Sequence, residues 1–152
     1  MSIITASDVN KLRKQTGAGM MDCKKALVES QGDFDLAIDI LRKKGQKIAA
    51  KRADRSASEG VVISSVNSSK NTGIIVSLNC ETDFVAKNED FIKLAHNLLA
   101  IAIENETSTL DEFKSLEYVK GKSVKEIITE QTGIIGEKLD LSLVCVKEEY
   151  VS

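Results

Sequence analysis

The chain has 152 residues, with no tryptophan, four phenylalanines, two tyrosines and a single histidine, His96. Aromatics are 4% of the residues, and no helix-length stretch interleaves them with basic side chains, so a base-stacking surface for nucleic acid is not expected. One histidine and three widely spaced cysteines do not show the clustered ligand spacing of a structural zinc site, and none is expected. No apolar run approaches the ~18 residues of a membrane-spanning helix. The opening Met1-Ser2-Ile3-Ile4-Thr5-Ala6-Ser7-Asp8 is neither a signal peptide nor an Arg-rich transit peptide. The expected location is therefore the cytoplasm, or the stroma or matrix of an organelle that encodes the chain itself. Net charge is also small: 21 Lys and Arg against 23 Asp and Glu leave no field to draw the chain to nucleic acid or an anionic membrane, and a protein partner is the default. Cys23, Cys80 and Cys145 form an odd set, each within an apolar pattern, which fits reduced core thiols.

Local signals divide the chain into residues 1–45, 46–58 and 59–152. In the first part, Thr5 with Asp8 caps a helix that carries Val9 and Leu12 on one face, and Gly17 and Gly19 end it. Met20, Cys23, Ala26 and Leu27 mark a second helix. Gln31-Gly32 turns the chain, Asp33 caps a third helix with Leu36, Ala37, Ile40 and Leu41 at helical spacing, and Gly45 is read as its end. Three amphipathic helices this short must pack on one another. Residues 46–58, rich in Lys, Arg, Ala and Ser and including Arg52, read as a basic linker with room for some helix.

The third part opens with two β-branched runs, residues 60–66 and 74–80, around an Asn, Ser and Gly turn, which predicts a hairpin. Phe91, Leu94, Ala95, Leu98, Ile101 and Ala102 predict a long helix with His96 beside its apolar stripe. Leu110, Phe113, Leu116 and Tyr118 anchor a weakly patterned stretch, and Ser123 with Glu126 forms a capping box for a last helix toward Thr132. Leu139, Leu141, Leu143 and Cys145 alternate with Asp140, Ser142 and Val144 as in a half-buried strand. The expected fold class is α+β: a three-helix bundle, then an antiparallel three-stranded sheet with helices on one face.

Enzyme chemistry finds no support in these residues. A nucleophile elbow, a Gly-rich phosphate loop and a His-Glu metal motif are all missing, and Thr16-Gly17-Ala18-Gly19 lacks the preceding strand and Lys-Ser/Thr ending of a P-loop. Neither a cofactor nor a metal is expected. The more informative segment is Thr82-Asp83-Phe84-Val85-Ala86-Lys87-Asn88-Glu89-Asp90-Phe91, which follows an apolar strand and opens a helical pattern. With Thr82 as N-cap, Asp83 and Phe84 fall in a first helical turn, a carboxylate and a bare phenyl ring placed together as in a wedge. Core filling by Phe84 and dipole stabilisation by Asp83 are the competing reading.

That segment, together with Thr16-Gly17-Ala18-Gly19-Met20-Met21-Asp22-Cys23-Lys24-Lys25-Ala26-Leu27, closely resembles translation elongation factor Ts, the family of guanine-nucleotide exchange factors for elongation factor Tu. The resemblance runs from about Ile4 through Gly136-Glu137-Lys138-Leu139. It implies that the first bundle is of the ubiquitin-associated type. It also implies that the chain binds elongation factor Tu in its GDP-bound and nucleotide-free forms, and that Asp83 and Phe84, flanked by Thr82 and Val85, enter the partner's nucleotide domain near its magnesium. Leu12, Met20 and Met21 are assigned by it to docking of the bundle, and Ile135 to a further contact. Read as residues alone, Leu12 and Ile135 fit core and contact equally, and of the adjacent Met20 and Met21 one is expected inside the bundle and the other outside.

Members of the family normally continue into a second, similar subdomain, whereas this sequence ends at Ser152. Contacts made by that second half are expected to be missing, including any histidine it contributes, for which His96 does not stand in. An unpaired strand edge where the sheet normally continues invites self-association. The rival reading is a passive interaction module that binds its partner without nucleotide coupling.

Overall fold

The computed structural model describes residues 3–148. Helices α1 (Ala6–Thr16), α2 (Met20–Glu29) and α3 (Phe34–Lys51) come first, followed by strands β1 (Glu59–Val66) and β2 (Thr72–Cys80). The short helix α4 (Asp83–Ala86) leads into α5 (Glu89–Glu104) and α6 (Leu110–Ser115). A small hairpin, β3 (Glu117–Val119) and β4 (Lys122–Ser123), then precedes α7 (Val124–Ile135) and β5 (Asp140–Lys147). Thus α1 to α3 form the expected bundle, and β1, β2 and β5 form one antiparallel sheet in the order β1-β2-β5.

Caps account for most helix starts. Thr5 and Asp8 make a reciprocal capping box at α1, while Asp33 accepts from the Leu36 N–H at α3. Ser123 accepts from the Glu126 N–H at α7. Val9, Leu12, Cys23, Ala26, Leu27 and Ala37 form the bundle core. The larger core lies between the sheet and α5, with Ile74, Val76 and Leu78 of β2 against Phe91, Ala95, Leu98 and Ala102, closed by Phe113, Val124 and Leu141. Leu141 faces inward and Val144 and Val146 outward, as the alternation requires. His96 is exposed, Cys23 and Cys80 are buried free thiols, and Cys145 is a half-buried one. Among the described residues no helix is long and apolar enough to cross a membrane.

Several expectations change. The third helix does not stop at Gly45 but continues to Lys51, because Gly45 is a buried packing point against α7 and not a cap. Residues 46–51 of the expected linker are therefore helical. Leu36 is exposed, since the inward stripe of α3 is set by Phe34, Ala37, Ile38 and Leu41. The weakly patterned segment contains α6 and the β3–β4 hairpin, whose turn uses Gly121 at φ 84°.

Candidate functional site

The turn after β2 is built by its caps. Thr82 is extended, and its hydroxyl accepts from the Val85 N–H at 3.4 Å, which starts α4. Asn88 then restarts the chain as α5, its side chain accepting from the Asp90 and Phe91 N–H groups at 2.9 and 3.3 Å. Val85 and Ala86 pack on the large core from one side of this four-residue helix. Asp83 and Phe84 stand on the other. Phe84 is 83% exposed, whereas Phe91 and Phe113 are buried and Phe34 is half-buried. The core-filling reading of Phe84 is thereby excluded. Asp83 is exposed and lies 3.5 Å from Lys87 one turn on, a solvated pair of little energetic weight.

Behind the ring lies a polar cluster that joins three distant segments. Glu137 Oε1 accepts from the backbone N–H of Glu81 at 3.1 Å and of Thr82 at 3.0 Å, and Glu137 Oε2 accepts from the Thr82 hydroxyl at 2.7 Å. In return, Glu81 Oε1 accepts from the Lys138 backbone N–H at 2.7 Å. Arg52, the C-cap residue of α3, grips the same carboxylate with both arms, Nε to Oε1 at 2.8 Å and Nη2 to Oε2 at 2.9 Å. The Glu81 side chain is only 12% exposed. The two Arg52 hydrogen bonds, helped by the Lys138 N–H, hold its carboxyl down to about 2, while Arg52 itself is raised by the same bonds. Burial pushes the neighbouring Cys80 thiol up to about 11, which leaves it a poor nucleophile.

The remaining candidates separate. Leu12 is wholly buried (0% exposed) in the bundle core, so its side chain offers no surface to a partner; its contact assignment is corrected to a packing role. Met20 and Met21 are both exposed, at 53% and 63%, so the expectation that one fills the core is also corrected. The reason is positional. They are the first two residues of α2, and helical side chains tilt toward the N-terminus, so both project past the end of the bundle. Thr82, half-buried with its hydroxyl engaged on Glu137 and Val85, holds the turn in place. Ile135, the last residue of α7, is half-buried and does two things: it packs on the large core and lines a shallow groove of about 400 Å³. Gly17, Asn88, Asp90 and Tyr118 line the same groove, which brings the glycine turn before α2 and the start of α5 to one place.

Arg52, Glu81 and Glu137 were not legible as site residues. Arg52 sits in a basic run that resembles a solvated connector, and its partner is 29 positions away. The only local trace is that Glu137 falls in the segment Ile135-Gly136-Glu137 that adjoins a candidate contact.

Fold and site together define an α+β protein in which a helical bundle and a sheet domain are pinned at the base of a turn that exposes a bare phenyl ring. Residues 81–149 match the sequence family described as Elongation factor TS. Across 141 residues, 93% of the chain, it is 63% identical to an elongation factor Ts of Christiangramia forsetii, covering 50% of that protein. It is 57% identical to one of Flavobacterium johnsoniae (93% of the chain, 43% of that protein) and 55% identical to one of Rhodopirellula baltica (93% and 43%). Over these aligned residues the chain is similar to proteins of the elongation factor Ts family. It spans about half the length of the curated relatives it matches.

Proposed function

We propose that the chain acts in translation elongation by binding elongation factor Tu and speeding release of its GDP, with Phe84 as the displacing group and Asp83 beside it. The observation that carries this reading is the exposure of Phe84, 83%, on a turn whose other side is packed and hydrogen bonded. Folding alone gives no reason to leave that ring in water, and a rigid root is what a wedge requires.

A GDP in a nucleotide-binding protein is held by magnesium and by backbone amides around its phosphates. Magnesium demands near-octahedral geometry, so a small displacement of its ligands or waters weakens the whole site. Burying an exposed phenyl ring gains roughly 1.5–3 kcal/mol, about tenfold to a hundredfold in release rate when the gain appears only in the displaced state. Met20, Met21 and Ile135 supply further contact area that holds the wedge in register. Linkage then requires that nucleotide weaken binding of the chain by the factor by which the chain weakens nucleotide.

Stopped-flow release of a fluorescent GDP from elongation factor Tu tests this directly. The chain is expected to accelerate release, and Phe84→Ala to remove at least about tenfold of that acceleration while the protein stays folded. Unchanged acceleration by Phe84→Ala would sink the wedge. Equal affinity for the partner with and without GDP would instead make the chain a passive interaction module.

A further inference from the structure

Resting on the exchange reading above, we infer that Glu137, Glu81 and Arg52 form a positioning clamp that fixes the angle at which the turn presents Phe84 and ties that angle to the helical bundle.

The turn needs such a device. Pairing of β2 with its neighbours ends at Cys80 on one side and Asn79 on the other, so the N–H groups of Glu81 and Thr82 have left the sheet. The helix that follows has four residues, too few to hold a direction by its own hydrogen bonds. Glu137 takes both of those N–H groups and the Thr82 hydroxyl, which immobilises the two residues that precede Asp83 and Phe84. Glu81 closes the loop in the opposite direction by accepting from the Lys138 N–H, so each acidic side chain holds backbone in the other's segment.

Arg52 makes this more than a local staple. It ends α3, the helix that contributes Ala37 to the bundle core, and its fork fixes the plane of the Glu81 carboxylate. A second strut runs from the same loop to the same place, the Lys138 ammonium donating to the Ala53 carbonyl at 2.9 Å. A shift of α3 is therefore passed to the residue two positions before Asp83. Bundle docking through Met20 and Met21 and ring presentation by Phe84 are in this way mechanically joined.

The absence of tryptophan supplies the test. In the full chain, Phe84→Trp introduces a single indole at the tip, whose fast anisotropy decay reports the motion of the turn. Glu137→Gln, nearly isosteric, places an amide N–H where a donor must be accepted. It is expected to increase the amplitude of that fast motion. Val9→Ala, which weakens the bundle core elsewhere, is expected to lower the melting temperature without changing it. Arg52→Ala should act as Glu137→Gln does, and Arg52→Lys, which keeps one charged donor, should restore part of the loss. In the exchange assay, Glu137→Gln should reduce the maximal release rate about tenfold when Phe84 is present and less than about twofold in the Phe84→Ala background, with little change in the half-saturating concentration. Equal losses in both backgrounds, or an indole as rigid in Glu137→Gln as without it, would overturn the clamp. If Phe84→Ala alone leaves release unchanged, the exchange reading fails, and the indole's motion still decides whether the clamp sets the turn.

Discussion

Gly133 on α7 lies so close to Gly45 on α3 that a Cβ built on it would fall 2.5 Å from the Gly45 Cα. This backbone-to-backbone approach joins the bundle to the sheet domain. A Cβ on Gly45 would meet the Thr129 carbonyl oxygen at 3.3 Å and the Glu130 Cα and carbonyl oxygen at 3.6 and 3.9 Å, a far looser approach, so the two positions are not equivalent. Gly133→Ala must push two helices apart, and overpacking of that kind costs about 1–3 kcal/mol, more than the roughly 1 kcal/mol that alanine gains over glycine in a helix. A lower urea midpoint is expected for Gly133→Ala, with Gly45→Ala near wild type.

Leu12 and the methionine pair should part company in the same experiment. Leu12→Ala leaves a hole in a small core and is expected to cost about 2–5 kcal/mol. Met20→Ala and Met21→Ala remove exposed side chains and should stay within about 0.5 kcal/mol of wild type. Loss of partner binding in the methionine variants at full stability would mark contact. Such a loss in Leu12→Ala would track unfolding seen by circular dichroism.

Acid should expose the Glu81–Arg52 pair. A carboxyl held at about 2 in the fold, against 4.5 ordinarily, stabilises the fold through its ionised form. That contribution is complete above 4.5 and disappears as pH falls toward 2. Arg52 stays charged throughout, so a comparison with Glu81→Gln reads the Glu81 carboxyl. The difference in melting temperature between wild type and Glu81→Gln is therefore expected to be widest at neutral pH and to close over that acidic interval.

Phe84→Ala should be nearly silent in folding. The ring is exposed, and its removal is expected to change stability by less than about 0.5 kcal/mol in a thermal melt. A larger loss would mean that the ring is packed after all.

Features whose physics is local were legible in the sequence. The caps at Thr5, Asp33 and Thr82 each act within three residues, and the alternation from Leu139 to Cys145 shows its inner and outer faces directly. The turn that carries Phe84 follows from the same rules, but the exposure of its ring does not, since a phenylalanine after a strand fits a core equally well by local pattern. What was not legible depends on a neighbour brought from afar. Gly45 looks like a helix end until Gly133 arrives opposite it, and Arg52 looks like solvated charge until Glu81 is folded against it. Met20 fits a core stripe with Cys23, Ala26 and Leu27 by spacing, and only the point at which α2 begins turns it outward together with Met21.

The placement of β2 carries a mechanical consequence. It is the middle strand, laced to β1 on one edge and β5 on the other, and the turn bearing Phe84 grows from its end. Any recoil felt at the ring runs lengthwise into that strand and is shared as shear by the two flanking ladders, while the buried inner face resists bending. A load on the tip is thus borne by the one strand of this sheet that is paired along both edges.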